Sequence, residues 1–191
     1  SGDRRYMRIR IFSYVYDSPM GSLYLCADDS RLHGIWSDKA EAAEYIDVVT
    51  EKGDDIMTVG RDDCPDVIEQ TAAWLDKYFD GKIPDCMPPL QLHGSKFRQT
   101  VSQIMLEIPY GELTTYGDIA KDVALRLGKE RMSAQAVGGA VGSNEFSILV
   151  PCHRVVGKDG NLTGYAGGMD RKIYLLKHEG VDFEEHHLYV R

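Results

Sequence analysis

No run of apolar residues in this chain approaches the ~20 that a membrane span needs. The opening Ser1-Gly2-Asp3-Arg4-Arg5 is polar and carries no secretory pattern; Ser1-Gly2 reads as a cloning remnant. The expected location is the cytoplasm. Cysteine is sparse: Cys26, Cys64, Cys86 and Cys152 lie far apart, with no Cys-x-x-Cys pair. A disulfide framework is not expected in a chain of this size without a signal peptide. His33 follows Cys26 and His93 follows Cys86, but the spacing fits no common zinc pattern, so neither metal nor cofactor is expected. The Gly-rich stretch Gly164-Tyr165-Ala166-Gly167-Gly168 lacks the strand-Gly-Lys-Thr setting of a phosphate loop.

Basic charge is also short overall, with 22 Lys and Arg against 30 Asp and Glu. The deficit is confined to one half. Residues 1–92 carry 10 basic and 18 acidic side chains, whereas residues 93–191 carry 12 of each. Residues 121–172 are locally positive, with eight basic and five acidic. Only the second half can offer a phosphate-facing surface.

The first half reads as β followed by helix. Strands are expected over 6–16, 22–27 and 32–36, separated by the turns Asp17-Ser18-Pro19-Met20-Gly21 and Asp28-Asp29-Ser30. Such a meander needs a covering helix, and Val67, Thr71, Trp74, Leu75 and Tyr78 place one over 66–79. Asp54-Asp55 and Asp62-Asp63 read as solvated carboxylates. Gly81 and the prolines up to Pro89 read as a linker, 81–94, which divides the chain into domains 3–92 and 93–191.

The second half reads as helices around an apolar stretch. Ser95 caps a helix to about Glu107. Thr114 or Thr115 caps one from Tyr116 to Leu127, which Gly128 stops. Ser133 caps a third, from Ala134 to Gly142. The last two form a helix-turn-helix candidate. The third is nearly free of large or charged side chains, and Gly138-Gly139 inside it cost about 1 kcal/mol each relative to Ala. Tight helix packing and close approach to a ligand or groove both account for that; on spacing alone, packing ranks ahead. A strand is expected over 147–150, a last helix over 170–178, and Glu184-Glu185-His186-His187 reads as a solvated end.

Between these elements stands Pro151-Cys152-His153-Arg154. By position alone, a cysteine after an apolar strand is more often a core thiol. The polar pair that follows points the other way. A thiolate is the reactive form, and a neighbouring base or cation lowers its pKa. Neighbours on an extended segment face opposite ways, so Cys152 and His153 need a turn or a bridging water to meet. Glu179 is the candidate carboxylate to orient His153.

Ile148-Leu149-Val150-Pro151-Cys152-His153-Arg154-Val155-Val156 resembles the active-site motif of the O6-alkylguanine-DNA alkyltransferases, also called methylated-DNA–protein-cysteine methyltransferases. Gly111-Glu112 through Tyr116-Gly117, Ala136 to Ala140, Asn144, Tyr165 to Gly168, and Lys172 through Glu179 fall in that family's order and spacing. The likeness covers about 95–180, and over 6–92 rests mainly on Asp17 to Gly21. It implies a small ribonuclease H-like α/β domain followed by a mostly α, winged-helix-like domain. It implies a monomer that repairs double-stranded DNA containing O6-alkylguanine, and leaves open whether O4-alkylthymine is a further substrate. Cys152 would accept the alkyl group once and irreversibly. His153 would deprotonate it through a water, held by Glu179. Asn144 would brace the turn, and Tyr116 would donate toward guanine N3. Val150, Tyr165, Ala166, Gly167 and Lys172 would bind the flipped base. Thr115, Ser133, Ala134, Gln135, Ala136 and Gly138 would face DNA, the small ones because the minor groove is only about 6 Å wide.

The chain departs from the family at Gln135, where an Arg usually fills the gap left by the flipped base, and at Ala166, where a polar side chain is common. Asp28 stands at the position of one zinc-ligating Cys of some members, although His33 aligns. Two other readings share some of these features. A non-catalytic binder of alkylated DNA would lack Cys152, and a Cys-His-Glu hydrolase would have no need of the glycine-rich helix.

Overall fold

A computed structural model describes residues 8–165 and 167–191. Tyr6, expected in the first strand, and Ala166 lie outside them. The described residues fall into two compact units that divide between Gln91 and Leu92.

The first unit is built on a hairpin. Strands β1 (Arg10–Ser18) and β2 (Gly21–Ala27) pair antiparallel, from Phe12 opposite Ala27 to Ser18 opposite Gly21. Gly21 takes φ 104°, which only glycine adopts cheaply. Strand β3 (Leu32–Trp36) adds antiparallel to β2. Two elements go beyond the expected meander. Helix α1 (Lys39–Val49) is capped by Asp38, which accepts from Ala40 N, and strand β4 (Asp55–Thr58) pairs parallel with β1. Neither has a strong apolar pattern: Ala42 is the buried residue of α1, and β4 is largely exposed. Asp54 is not merely solvated. Its carboxylate accepts from Ile9 N (3.1 Å) and Glu51 N (2.8 Å) and fixes the entry to β4. Helix α2 (Asp66–Phe79) buries Val67, Ile68, Thr71, Ala72, Trp74, Leu75 and Tyr78 against the three antiparallel strands. Each fully buried side chain of Leu or Ile size contributes about 1.5–3 kcal/mol. The end of the proline stretch is also less free than a linker. Leu32 N donates to Pro89 O and Gln91 N to Leu32 O, both at 2.8 Å.

The second unit packs α3 (Lys96–Leu106), α4 (Tyr116–Leu127) and α5 (Ala134–Gly142) against one another. Each helix starts on its expected hydroxyl. Ser95 accepts from Arg98 N, Thr115 from Asp118 N and Ser133 from Ala136 N, at 3.0–3.2 Å. Gly128 ends α4 in the left-handed conformation. A two-residue parallel pair then joins β5 (Thr114–Thr115) to β6 (Val155–Val156), which ties the start of α4 to the segment after Cys152. Helix α6 (Met169–His178) closes the unit.

The strand expected over 147–150 is absent. Ile148, Leu149 and Val150 are buried at 0–2% exposure, so the apolar run does enter the core, but as successive turns. The tail is not a free end either. The side chains of Glu184 to His187 are exposed, yet the backbone folds back, and Leu162 N donates to Tyr189 O.

Candidate functional site

Cys152 begins a short 3-10 turn, Cys152–Arg154, and is 6% exposed. The approach to it is wound tightly. Leu149 N donates to Ser147 O (2.9 Å) around Ile148, whose φ is 73°. Cys152 N donates to Val150 O (2.8 Å) around Pro151, at φ −81° and ψ 64°. The second is an inverse γ-turn, which proline tolerates. The first has the rarer mirror-image handedness, which in a β-branched residue stores strain of about 1–3 kcal/mol. Asn144 holds this coil. Its Nδ2 lies 2.9 Å from Val150 O and 3.2 Å from Cys152 Sγ, and its Oδ1 accepts from Phe146 N.

Burial pushes the Cys152 thiol up, and the Asn144 hydrogen bond and Lys172 only partly oppose it. The resting group is therefore a thiol and needs a base. His153 Nε2 lies 2.6 Å from Glu179 Oε2, with both side chains fully buried. Burial also pushes His153 down, so the imidazole rests neutral despite its carboxylate neighbour. With Nε2 donating to Glu179, Nδ1 is the basic nitrogen. It is buried, with no hydrogen-bond partner among the described residues.

Glu179 is held by more than His153. Arg154 Nε (2.8 Å) and Gly111 N (2.9 Å) donate to its Oε1, and Arg154 Nη2 (3.1 Å) to Oε2. Arg154 Nη1 donates to Ile108 O at 2.7 Å, and its guanidinium sits over the Tyr110 ring. Burial opposes the charge on Glu179, but His153 and Arg154 outweigh it and hold the carboxyl well below the usual carboxylate range. Arg154 and Gly111 were missed as functional residues. The signal available was chemical: a buried carboxylate serving a neutral imidazole needs a cation elsewhere.

This clamp makes stability sensitive to acid. Glu179 has a depressed folded-state value, so its contribution is present above the ordinary carboxylate range and is lost as pH falls through and below it. His153 is also depressed. The unfolded chain therefore takes up that proton first, below about pH 6.5, which removes stability in the same direction. The thermal midpoint is expected to fall steadily below about pH 6.5, and less in His153→Gln. A flat profile down to about pH 4 contradicts this account.

Lys172 is 1% exposed, donates to Val155 O (2.8 Å) and Thr163 O (3.3 Å), and is pushed by burial down to about 8. Tyr116 OH lies 2.6 Å from Thr163 Oγ1, and Tyr165 OH lies 2.9 Å from Ser147 Oγ. Burial pushes both phenols up, and both lie close enough to Cys152 that a charge on its sulfur would push them further. Thr163 and Ser147 had no motif to mark them. Gly167 adjoins this group, and a Cβ there would sit 2.8 Å from the Tyr165 ring. Val150 is fully buried beside the thiol turn.

The packing explanation for the small residues of α5 does not hold. Val137 and Val141 are its buried anchors, while Ser133, Ala134, Gln135, Ala136, Gly139 and Gly142 are exposed. Among the described residues, a Cβ at Gly139 or Gly142 would meet nothing within 4 Å, and at Gly138 only an ordinary contact with Tyr116 at 3.9 Å. Nothing inside the unit demands glycine there. Thr115, at the start of α4, spends its hydroxyl on the Asp118 cap. In the first unit, Asp28 and His33 face one another at 2.9 Å, and His33 Nδ1 lies 2.6 Å from Tyr45 OH.

Residues 96–181 match the family described as "6-O-methylguanine DNA methyltransferase, DNA binding domain", and residues 11–92 match its ribonuclease-like domain. The chain is 36% identical over 175 residues to the methylated-DNA–protein-cysteine methyltransferase of Haemophilus influenzae, covering 91% of this chain and 88% of that protein. It is 34% identical to the protein of the same name from Methanosarcina acetivorans, over 87% and 96% of the two chains. Among solved structures, it resembles Mycobacterium tuberculosis OGT in complex with DNA, with a TM-score of 0.70 and 33% identity over 88% and 92% of the chains.

Proposed function

The chain belongs to the 6-O-methylguanine DNA methyltransferase family, and from that premise we propose how its own residues perform the transfer. It is a methylated-DNA–protein-cysteine methyltransferase that binds DNA and repairs it by direct alkyl transfer to cysteine. We assign the chemistry to residues 93–191 and the acceptor to Cys152, acting on O6-alkylguanine in double-stranded DNA. The protein works as a cytoplasmic monomer; among the described residues, no helix is long and apolar enough to cross a membrane.

In the resting site the thiol is protonated and the imidazole neutral. A water bridging Sγ and His153 Nδ1 carries the thiol proton to the ring. Glu179 then faces an imidazolium, and its charge, already held by Arg154, stabilises that ion without being created for it. The sulfur attacks the alkyl carbon. The S–C bond forms as the C–O6 bond breaks, and the electron pair goes to the guanine. Tyr116 donates toward N3, and Lys172 stabilises the leaving oxygen. A thioether is a poor leaving group, so the transfer is not reversed. Tyr165, Ala166, Gly167 and Val150 enclose the base. Thr115, Ser133, Ala134, Gln135, Ala136 and Gly138 meet the duplex, with Gln135 at the position that faces the gap left by the flipped base.

The observation that carries this reading is the buried Arg154–Glu179–His153 relay, which leaves Nδ1 as the open base of a nucleophile's neighbour. The other reading, a non-catalytic binder that flags lesions, leaves Cys152 and the relay without purpose. Stoichiometry separates the two. With O6-methylguanine duplex in excess, restored guanine is expected to equal the protein added and then stop. Tight binding with no restored guanine supports the flagging role, and continued turnover contradicts both.

A further inference from the structure

The segment after α6 returns to the loop that carries the base-binding groups. Asp182 Oδ1 accepts from Glu184 N (2.9 Å) and Glu185 N (3.1 Å), capping a turn closed by Leu188 N to Phe183 O. Phe183 and Leu188 pack against Val156, Leu162, Leu176 and Val181. The main chain is then stitched to the turn at 157–162. Tyr189 N donates to Gly160 O (3.0 Å), and Leu162 N donates to Tyr189 O (2.8 Å). The fit is close: Gly160 has φ 85°, and a Cβ there would lie 2.2 Å from His187 O. The residue after Leu162 is Thr163, whose hydroxyl meets Tyr116 and whose carbonyl receives Lys172.

We propose that Asp182–Tyr189 is a strap that fixes the 157–163 turn and, through Thr163, positions Tyr116 and Lys172 against the substrate base. The strap rests on the assignment above of Tyr116 and Lys172 to the base. Among the described residues, its hydrogen bonds to the rest of the unit run through Gly160 and Leu162, whereas the clamp on His153 is built from Arg154, Gly111 and Ile108. Loosening the strap therefore separates two properties of one site: the reactivity of the thiol and the handling of the leaving base.

Two full-length variants test this. Gly160→Ala drives the backbone of His187 away, and Leu188→Asp lifts the strap from Leu162. Each is compared with the wild-type chain in two reactions: methyl transfer from saturating O6-methylguanine duplex, and alkylation of Cys152 by iodoacetamide without DNA, read on the Cys152 peptide. Transfer at saturation is expected to fall roughly 10- to 100-fold, the scale of a small misplacement of binding groups, while the iodoacetamide rate falls far less, because Asn144 keeps its hydrogen bond to the thiol and Lys172 is only one of the groups that act on it. Unchanged transfer in both variants overturns the strap. So does a parallel fall in both reactions, which marks general loosening. No transfer by the wild-type chain overturns the proposed function itself, and the strap with it.

Discussion

Glu179→Ala is expected to cost about 3–5 kcal/mol of stability and to slow alkyl transfer by at least roughly 100-fold. The two effects have separate origins. Glu179 neutralises Arg154, which is 7% exposed and hydrogen-bonds through three nitrogens inside the unit. Without the carboxylate, a buried guanidinium is left uncompensated and Gly111 N loses its acceptor. The rate effect comes through His153, which loses both the acceptor that fixes its tautomer and the charge that stabilises its protonated form. Glu179→Gln separates the two. It keeps the volume and one acceptor oxygen, so it is expected to recover part of the stability but little of the rate. Chemical denaturation and single-turnover transfer measure both. Wild-type stability in Glu179→Ala contradicts the clamp, and a wild-type rate in a folded Glu179→Gln contradicts the relay.

Gly139→Leu is expected to do the reverse: the protein becomes more stable and binds duplex worse. Gly139 is exposed on α5 with open space around its Cβ position, and leucine in a helix is better than glycine by up to about 1 kcal/mol. If the small face of α5 enters a groove about 6 Å wide, a leucine there cannot follow it. Duplex affinity is expected to fall at least about 10-fold, equivalent to about 1.4 kcal/mol, while Cys152 still reacts with the free O6-alkylguanine base at its original rate. Unchanged duplex affinity in the more stable variant removes the groove from the account.

Much of the second unit was legible because its helices obey local rules. Ser95, Thr115, Ser133 and Gly128 are capping residues at the expected places, and α2 in the first unit follows its apolar period from end to end. Two classes of feature escaped. Helix α1 and strand β4 are held from outside, by Asp38, by Asp54 and by pairing with β1, and carry little pattern of their own. The coil at 146–152 misleads for the opposite reason. Its apolar run has the composition of a buried strand, but Asn144 takes the carbonyl of Val150 and the amide of Phe146 and winds the backbone into turns. Within the site, a short contiguous motif cannot announce partners that converge from distant loops. Gly111 and Thr163 matter through a backbone amide, a carbonyl and a hydroxyl, none of which stands out in sequence.

The identity of the acceptor atom carries everything else. The full chain is incubated with a duplex bearing O6-methylguanine, weighed intact, and then cut and mapped. A gain of one methyl, located on the Cys152 peptide and lost in Cys152→Ala, is the predicted result. A methyl on Cys26, Cys64 or Cys86, or an unchanged mass after the guanine has been restored, would contradict it.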